Sequence, residues 1–238
     1  WKPIRSLATP LGIPDKVYGL YDSDPGLLGF SHGVVGIAAA LCIYGSRYNE
    51  KDSIIAANKA LIYLKSHFKE TTAIWPELRA KMNNSDTCYT TTWCHGTTGI
   101  LLGLLILSSK SMDCLMSDEE VEGALRQWIS EATPLTDHLC CGSLGISSTM
   151  RMLLNGHFYP NKLKNILELR INEIESQVIF DASSGKKFRT LKDINGGVIQ
   201  AGFFTGNSGV AFAIHPEKKA QETIKAVLSC GLLKPETP

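Results

Sequence analysis

The stretch HGTTGILLGLLIL, residues 95–107, decides the fold of this 238-residue chain. Two glycines three residues apart, Gly96 and Gly99, precede an apolar run that has no polar face. Glycine lets the backbone turn sharply and lets a helix start pack closely. An apolar run without an amphipathic period is typical of a helix that is buried on most sides. The stretch therefore predicts a tight turn followed by an inner helix.

The same pattern occurs four times, with gaps of 63, 46 and 64 residues between the first glycines. The copies are HGVVGIAAAL (32–41), HGTTGILLGL (95–104), CGSLGISSTM (141–150) and TGNSGVAFAI (205–214). Each has a residue, Gly, two residues, Gly, and then aliphatic or small residues. A reading in which the glycines serve helix packing alone is also open for most of them.

Amphipathic segments lie between and after these copies, at 52–68, 117–130, 161–177 and 216–233. Ser117 and Glu120 form a capping-box pattern, and Pro216 stands at a plausible first-turn position. The predicted apolar stripes are Ile54, Ala57, Leu61, Leu64 and Phe68 in the first segment and Leu163, Ile166, Leu167, Ile171 and Ile174 in the third. Buried and amphipathic helices thus alternate, four inner and four outer.

This alternation predicts an all-α fold, an α/α toroid of which the chain forms a partial ring of about four helical hairpins. Strand signals are few, and GKKFRTLKD (185–193) could be a short hairpin or a loop. A formal net charge of +1 gives no global field for nucleic acid. The longest apolar run, 99–107, is far shorter than the roughly 20 residues of a membrane span.

Cysteine and histidine cluster at the glycine motifs. His32, His95, Cys141 and Thr205 each precede a first glycine, and Cys94 and Cys140 precede two of those residues. In a ring, the N-termini of the inner helices gather at one face, where their partial positive charge favours thiolates. Three protein ligands and one open position are typical of catalytic zinc. We therefore expect a zinc site there.

The other cysteines and histidines have more ordinary interpretations. Cys42, Cys114 and Cys230 are read as small hydrophobic residues in or beside helices. Cys88 is a stray thiol or a substitute ligand. Surface or capping roles are expected for His67, His138, His157 and His215. The odd count of seven cysteines, with no secretory segment visible, predicts free thiols or metal ligands in a reducing, cytoplasmic setting.

Four ordered segments resemble the signature motifs of the lanthionine synthetase C-like cyclases: GFSHGVVG (29–36), WCHGTTG (93–99), LCCGSLG (139–145) and GFFTGNSG (202–209). The resemblance runs from about residue 26 to residue 214. The WCHG form is most similar to the C-terminal cyclase domain of the bifunctional class II lanthipeptide synthetases. A minority of those enzymes are similar in having Cys-Cys-Gly in the third motif.

The resemblance implies a double toroid with zinc at one end, held by Cys94, Cys140 and Cys141. It implies a thioether-forming cyclase of lantibiotic biosynthesis, which adds peptide cysteine thiols to dehydroalanine or dehydrobutyrine. His32 matches the family histidine proposed for acid–base work, and His95 would border the site as a second catalytic histidine. The expected partners are a dehydrated precursor peptide, the N-terminal dehydratase and earlier toroid hairpins of the same synthetase, and a membrane-associated transporter complex.

Three departures from the family pattern bear on these expectations. Cys141 replaces the histidine of Cys-His, which gives the zinc site a net charge of about −1 instead of about 0. Thr90, Thr91 and Thr92 stand where stand-alone members have an arginine one turn before the Trp-Cys cysteine. The chain has fewer hairpins than a full ring, so we expect the C-terminal part of a cyclase domain: an irregular lead-in (1–28), motif-bearing hairpins (29–214) and a terminal outer helix (215–238).

Two other functions remain open. A family member of this shape could add glutathione to dehydrated residues, or the fold could be a non-catalytic peptide-binding scaffold with a structural zinc. A fourth protein ligand, for instance His95 or Cys88, would close the site and favour the scaffold. A glycosidase toroid needs a carboxylate pair. That class is excluded because the four glycine motifs contain no acidic residue.

Overall fold

A computed structural model describes residues 26–78, 89–156, 158, 160–184, 188–189 and 201–233. Within these ranges the chain forms eight α-helices, one 3-10 helix and no β-strand, which confirms the all-α prediction. The helices are α1 Val34–Tyr48, α2 Lys51–Ser66, α3 Thr97–Ser108, α4 Asp118–Ser130, α5 Ser143–Asn155, α6 Lys164–Ser183, α7 Asn207–Ala213 and α8 Lys218–Leu228, with the 3-10 helix at Asn161–Leu163. Most of the segment 185–193, interpreted from the sequence as a short hairpin or a loop, lies outside the described residues.

The chain divides into two compact units, residues 1–128 and 129–238. In the first unit, α1 packs against α2 and α3. In the second unit, α5 packs against α6, α7 and α8, and α7 also packs against α8. A helix that begins at a glycine motif is therefore central to each unit. None of the described helices combines the length and apolarity needed to cross a bilayer.

Each predicted inner helix begins at its motif: the first glycine of every copy is the N-cap. Burial on most sides is confirmed for α3, where Thr97 through Leu107 are all buried, and for most of α5. It is wrong for α1 and α7, the first and last inner helices in chain order. Tyr44 and Tyr48 of α1 are 51% and 58% exposed, and Phe212 of α7 is 42% exposed.

The second glycine of every motif lies under a backbone carbonyl. A Cβ added there would come within 2.0 Å or less of the carbonyl oxygen six residues earlier. The four pairs of glycine and carbonyl residue are Gly36 with Phe30, Gly99 with Trp93, Gly145 with Leu139 and Gly209 with Phe203. No side chain fits in that space, so the packing interpretation of these glycines is supported. The loop before each of these helices therefore packs directly against the first turn of that helix.

The outer helices follow the predicted amphipathic pattern with local corrections. Leu163, Leu167, Ile171 and Ile174 are buried as expected, but Ile166 is 42% exposed. It lies about 100° round the helix from the centre of that stripe. Ile54 in α2 is only half-buried.

Of the predicted starts of two outer helices, that of α4 is confirmed and that of α8 is wrong. In the capping box of α4, the Ser117 amide donates to Glu120 Oε2 over 2.9 Å, and the Glu120 amide donates to Ser117 Oγ over 3.3 Å. This confirms the pattern read from the sequence. Pro216 is not in the first turn of α8, because the N-cap is Glu217.

Replacement of Gly145 by alanine tests the glycine–carbonyl contact. Alanine favours a helix over glycine by about 1 kcal/mol, but its Cβ would lie 1.8 Å from the Leu139 carbonyl oxygen. We expect Gly145→Ala to lower the free energy of unfolding by about 2 kcal/mol, because overpacking outweighs propensity. Gly202→Ala is the matched control, since its Cβ would meet nothing closer than 3.8 Å. Equal urea midpoints for the two variants would contradict the prediction.

Candidate metal centre

Cys94 lies in the turn that leads into α3, and its side chain is 1% exposed. Its carbonyl oxygen accepts hydrogen bonds from the amides of Ser31 (3.2 Å) and His32 (3.3 Å). Gly29 permits this contact, because a Cβ there would lie 2.4 Å from the same oxygen. The turn that carries His32 is thus docked on the turn that carries Cys94.

The two predicted catalytic histidines lie side by side in the first unit. The ring centroids of His32 and His95 are 4.5 Å apart, and the rings are stacked with an interplanar angle of 13°. Both side chains are half-buried. An imidazole is the side chain best suited to move a proton near neutral pH. The first unit therefore gathers Cys94, His32 and His95 in one place, as the sequence predicted.

Cys140 and Cys141 form the corresponding turn of the second unit. Their Sγ atoms are 3.4 Å apart, and the two cysteines are not joined in a disulfide. Two sulfurs bound to one tetrahedral zinc, each at about 2.3 Å, lie about 3.8 Å apart. A small side-chain rotation would bring the pair to that separation, so the two cysteines fit a shared metal ion.

The turn that carries this cysteine pair is fixed by backbone and side-chain hydrogen bonds. The Cys140 amide donates to the Phe204 carbonyl over 2.8 Å, and the Cys141 amide donates to His138 Nδ1 over 3.3 Å. His138 is fully buried. Of the surface or capping roles expected for it, the surface role is therefore wrong, whereas its ring accepts from a backbone amide before α5 as a capping residue does. Its place three residues before Cys141 is the signal that could have indicated this role.

An ion pair between a buried carboxylate and a partly exposed guanidinium anchors the start of the same turn. Asp137 is 2% exposed, and its Oδ1 accepts from Nε (3.0 Å) and Nη2 (2.6 Å) of Arg189. The two backbones are also joined, since the Asp137 amide donates to the Arg189 carbonyl over 2.7 Å. Hydrogen bonding to Asp137 raises the pKa of Arg189, against the opposing effect of burial. No local sequence pattern indicates this pair, because its members are 52 residues apart.

The remaining cysteines mostly fit their structural interpretation. Cys42 is 1% exposed, and burial raises the pKa of its thiol. Burial likewise raises the pKa of Cys114 to about 11, so that this thiol stays protonated at neutral pH and is a poor metal ligand. Cys230 is exposed, which corrects its assignment as a buried residue. Cys88 lies outside the described residues.

Two of the other histidines have the roles expected for them. His67 ends α2, with Nδ1 2.9 Å from the Tyr63 carbonyl oxygen. His215 is exposed, and its Nδ1 accepts from the Glu217 amide at the start of α8. Neither is close in sequence to a cysteine motif. His157 lies outside the described residues.

The family model described as "Lanthionine synthetase C-like protein" matches residues 16–227. The chain belongs to the lanthionine synthetase C-like family. This confirms the family that the four motifs indicated, and membership indicates a thioether-forming cyclase or a related function. Comparison with curated proteins and with solved structures gave no significant match.

The family's metal chemistry is compatible with the cysteines of this lanthionine synthetase C-like chain. Cys94, Cys140 and Cys141 each offer one Sγ as a ligand atom. Three thiolates are a ligand set that could hold a metal ion. Their positions at helix starts add the partial positive charge that favours deprotonation.

Removal of the Arg189 guanidinium tests the anchor of the cysteine turn. In Arg189→Met the buried Asp137 carboxylate loses its cation, and we expect the free energy of unfolding to fall by about 2 kcal/mol, less than for a fully buried pair because the Arg189 side chain is 42% exposed. The double variant Asp137→Asn/Arg189→Met removes the stranded charge and should recover most of that loss. Arg126→Met is the control, because Arg126 is 53% exposed in its pair with Glu122 and should cost below about 0.5 kcal/mol. Urea denaturation measures all three, and a double variant no more stable than Arg189→Met would contradict the assignment.

Proposed function

We propose that this chain is a zinc-dependent cyclase that forms lanthionine and methyllanthionine thioether rings in a lantibiotic precursor peptide. Family membership supports a thioether-forming reaction. The observation that carries the proposal is the stacked pair His32 and His95 docked against the Cys94 turn. A proton-transferring group beside a thiolate ligand is what thiol addition to a dehydrated residue needs.

The proposed zinc ligands are Cys94, Cys140 and Cys141. Zinc prefers thiolate ligands, and a site with three protein ligands keeps a fourth position for substrate. The chemistry that zinc supplies at such a site is a lowered pKa for a substrate thiol, which then reacts as the thiolate. With three thiolates the site carries about −1 before substrate enters. We infer that this charge makes a bound sulfur more nucleophilic but acidifies it less.

Side chains of the protein carry out the proton transfers. The substrate sulfur forms a bond to the β-carbon of dehydroalanine or dehydrobutyrine, and the carbon–carbon π electrons move toward the α-carbon and its carbonyl. We assign to His32 the role of taking the proton that the thiol loses and returning one to the α-carbon. The net change is addition of S–H across the double bond. His95, stacked on His32, orients that ring.

Metal analysis tests the ligand set. We expect about one zinc per chain in the purified protein. Cys141→Ala should weaken zinc binding by more than about 100-fold, since even loss of an outer-shell partner costs 10–100-fold. Cys141→His supplies a nitrogen ligand in place of the thiolate, and this variant should retain zinc. The control is Cys230→Ser, at an exposed thiol. Full zinc retention in Cys141→Ala would remove Cys141 from the ligand set.

A peptide that contains one dehydroalanine and one cysteine tests the reaction. Cyclisation leaves the mass unchanged but removes the free thiol, so mass spectrometry after treatment with N-ethylmaleimide counts the product. We expect His32→Ala to lower kcat by roughly 10²–10⁴, the usual contribution of a general acid–base. The control is His215→Ala, at an exposed histidine beyond the motifs, which should be as active as the wild type.

The same assay separates the other functions. Addition of glutathione in place of ring closure would identify a glutathione-adding enzyme. Zinc bound without either product, with a fourth protein ligand by X-ray absorption, would identify a peptide-binding scaffold. Either result would overturn the cyclase proposal.

We propose the cytoplasm as the setting, with a dehydrated precursor peptide as substrate. The proposed partners are the dehydratase and earlier hairpins of the same synthetase, together with a membrane-associated transporter complex. The exposed flank of α1 supports a contact with the earlier hairpins, because Tyr44 and Tyr48 present aromatic surface there. Exposed apolar patches on soluble proteins are commonly interaction surfaces.

A further inference from the structure

Three threonines, Thr90, Thr91 and Thr92, directly precede Trp93 and Cys94. Two of them are tied to the start of α3. The Thr97 amide donates to the Thr90 carbonyl over 3.0 Å, and the Gly96 amide donates to the Thr92 carbonyl over 2.9 Å. The helix that begins just after Cys94 therefore fixes the backbone of both threonines.

The side chains of Thr90 and Thr92 form a short hydrogen-bonded chain that ends at a sulfur. The Thr92 amide donates to Thr90 Oγ1 over 3.3 Å, and the Thr90 hydroxyl donates to Thr92 Oγ1 over 3.2 Å. Thr92 Oγ1 then lies 3.7 Å from Cys94 Sγ. All of these atoms belong to the first unit.

Either Thr92 Oγ1 or Cys94 Sγ could donate in the last contact of this chain, and its direction is set once Cys94 is a thiolate ligand. A hydroxyl has one proton to donate. The Thr90 proton points to Thr92 Oγ1, so the Thr92 proton remains for Cys94 Sγ. A thiolate carries no proton and can only accept. When Cys94 is deprotonated, the contact is an O–H···S⁻ bond, and hydrogen bonds to a charged acceptor are stronger than neutral ones.

We propose that Thr92 is a positioning residue, whose hydroxyl donates to the sulfur of Cys94 and is oriented by Thr90. This inference rests on the proposed function, in which Cys94 is a zinc ligand. Three thiolates leave the site with excess negative charge, and a fourth sulfur from substrate adds more. A hydrogen bond withdraws electron density from Cys94 Sγ and makes it a weaker donor. The site can then accept the substrate thiolate at lower electrostatic cost.

Thr92→Val tests this role, because valine has the shape of threonine without the hydroxyl. The probe is Co²⁺ bound in place of zinc, whose thiolate-to-metal charge-transfer band reports on electron density at sulfur. Loss of the hydrogen bond raises the energy of the sulfur lone pair, so the band should move to longer wavelength. The KM for the dehydrated peptide should rise about 10-fold or more, with a smaller change in kcat, in the range known for outer-shell partners.

Three further variants make the test specific. Thr92→Ser keeps the hydroxyl and should restore the wild-type band and KM. Thr90→Val removes only the orienting donor and should give a shift in the same direction but smaller. Thr91→Val is the matched control and should leave the band unchanged. Circular dichroism shows whether each variant is folded, and Thr90→Val against Thr91→Val carries the comparison if Thr92→Val is not.

The outcomes separate this inference from the proposed function. A charge-transfer band that is present in the wild type and the same in Thr92→Val overturns the role of Thr92 alone. A band of full wild-type intensity in Cys94→Ser, or no band in the wild type, overturns the ligand set and the role of Thr92 together. A shift in Thr92→Val that Thr92→Ser reverses supports both.

Discussion

The contact between a glycine and the carbonyl oxygen six residues before it is the constraint on which this protein depends. It occurs at Gly36, Gly99, Gly145 and Gly209, and it closes the turn before every described inner helix. Each closed turn has two positions between the carbonyl residue and the N-cap glycine. Cys94 with His95 and Cys140 with Cys141 occupy those positions in α3 and α5. A backbone contact thus determines where the reactive side chains stand.

Within each unit, hydrogen bonds from a neighbouring turn hold these side chains in place. The Cys94 carbonyl accepts from the His32 turn, and the Cys140 amide donates to the Phe204 turn. The ion pair of Asp137 with Arg189 and the buried ring of His138 add side-chain support on the second turn. Such supporting bonds keep ligands near one geometry, so that binding a metal or substrate costs little reorganisation.

The electrostatics of the site follow from its sulfur atoms. In the proposed zinc site, three thiolates would form an unusually negative ligand set, and we infer that the chain compensates for this charge locally. The partial positive charge of a helix start acts on each cysteine turn. In the proposed arrangement, Thr92 adds a hydrogen bond at Cys94, and the stacked His32 and His95 provide proton transfer. Binding of the substrate thiolate and transfer of the proton to the substrate are thereby assigned to different residues.

The sequence alone predicts the all-α class, the alternation of motif-bearing with amphipathic helices, and the location of Cys94, Cys140 and Cys141 just before helix starts. These features are predictable because glycine spacing and apolar period act over a few residues. It also predicted the capping box of α4. Only the tertiary structure decided the stacking of the two histidines, the burial of His138 and the ion pair of Asp137 with Arg189. Those features join residues far apart in the chain, and the free energy of burial or pairing depends on what packs around them, which no local pattern encodes.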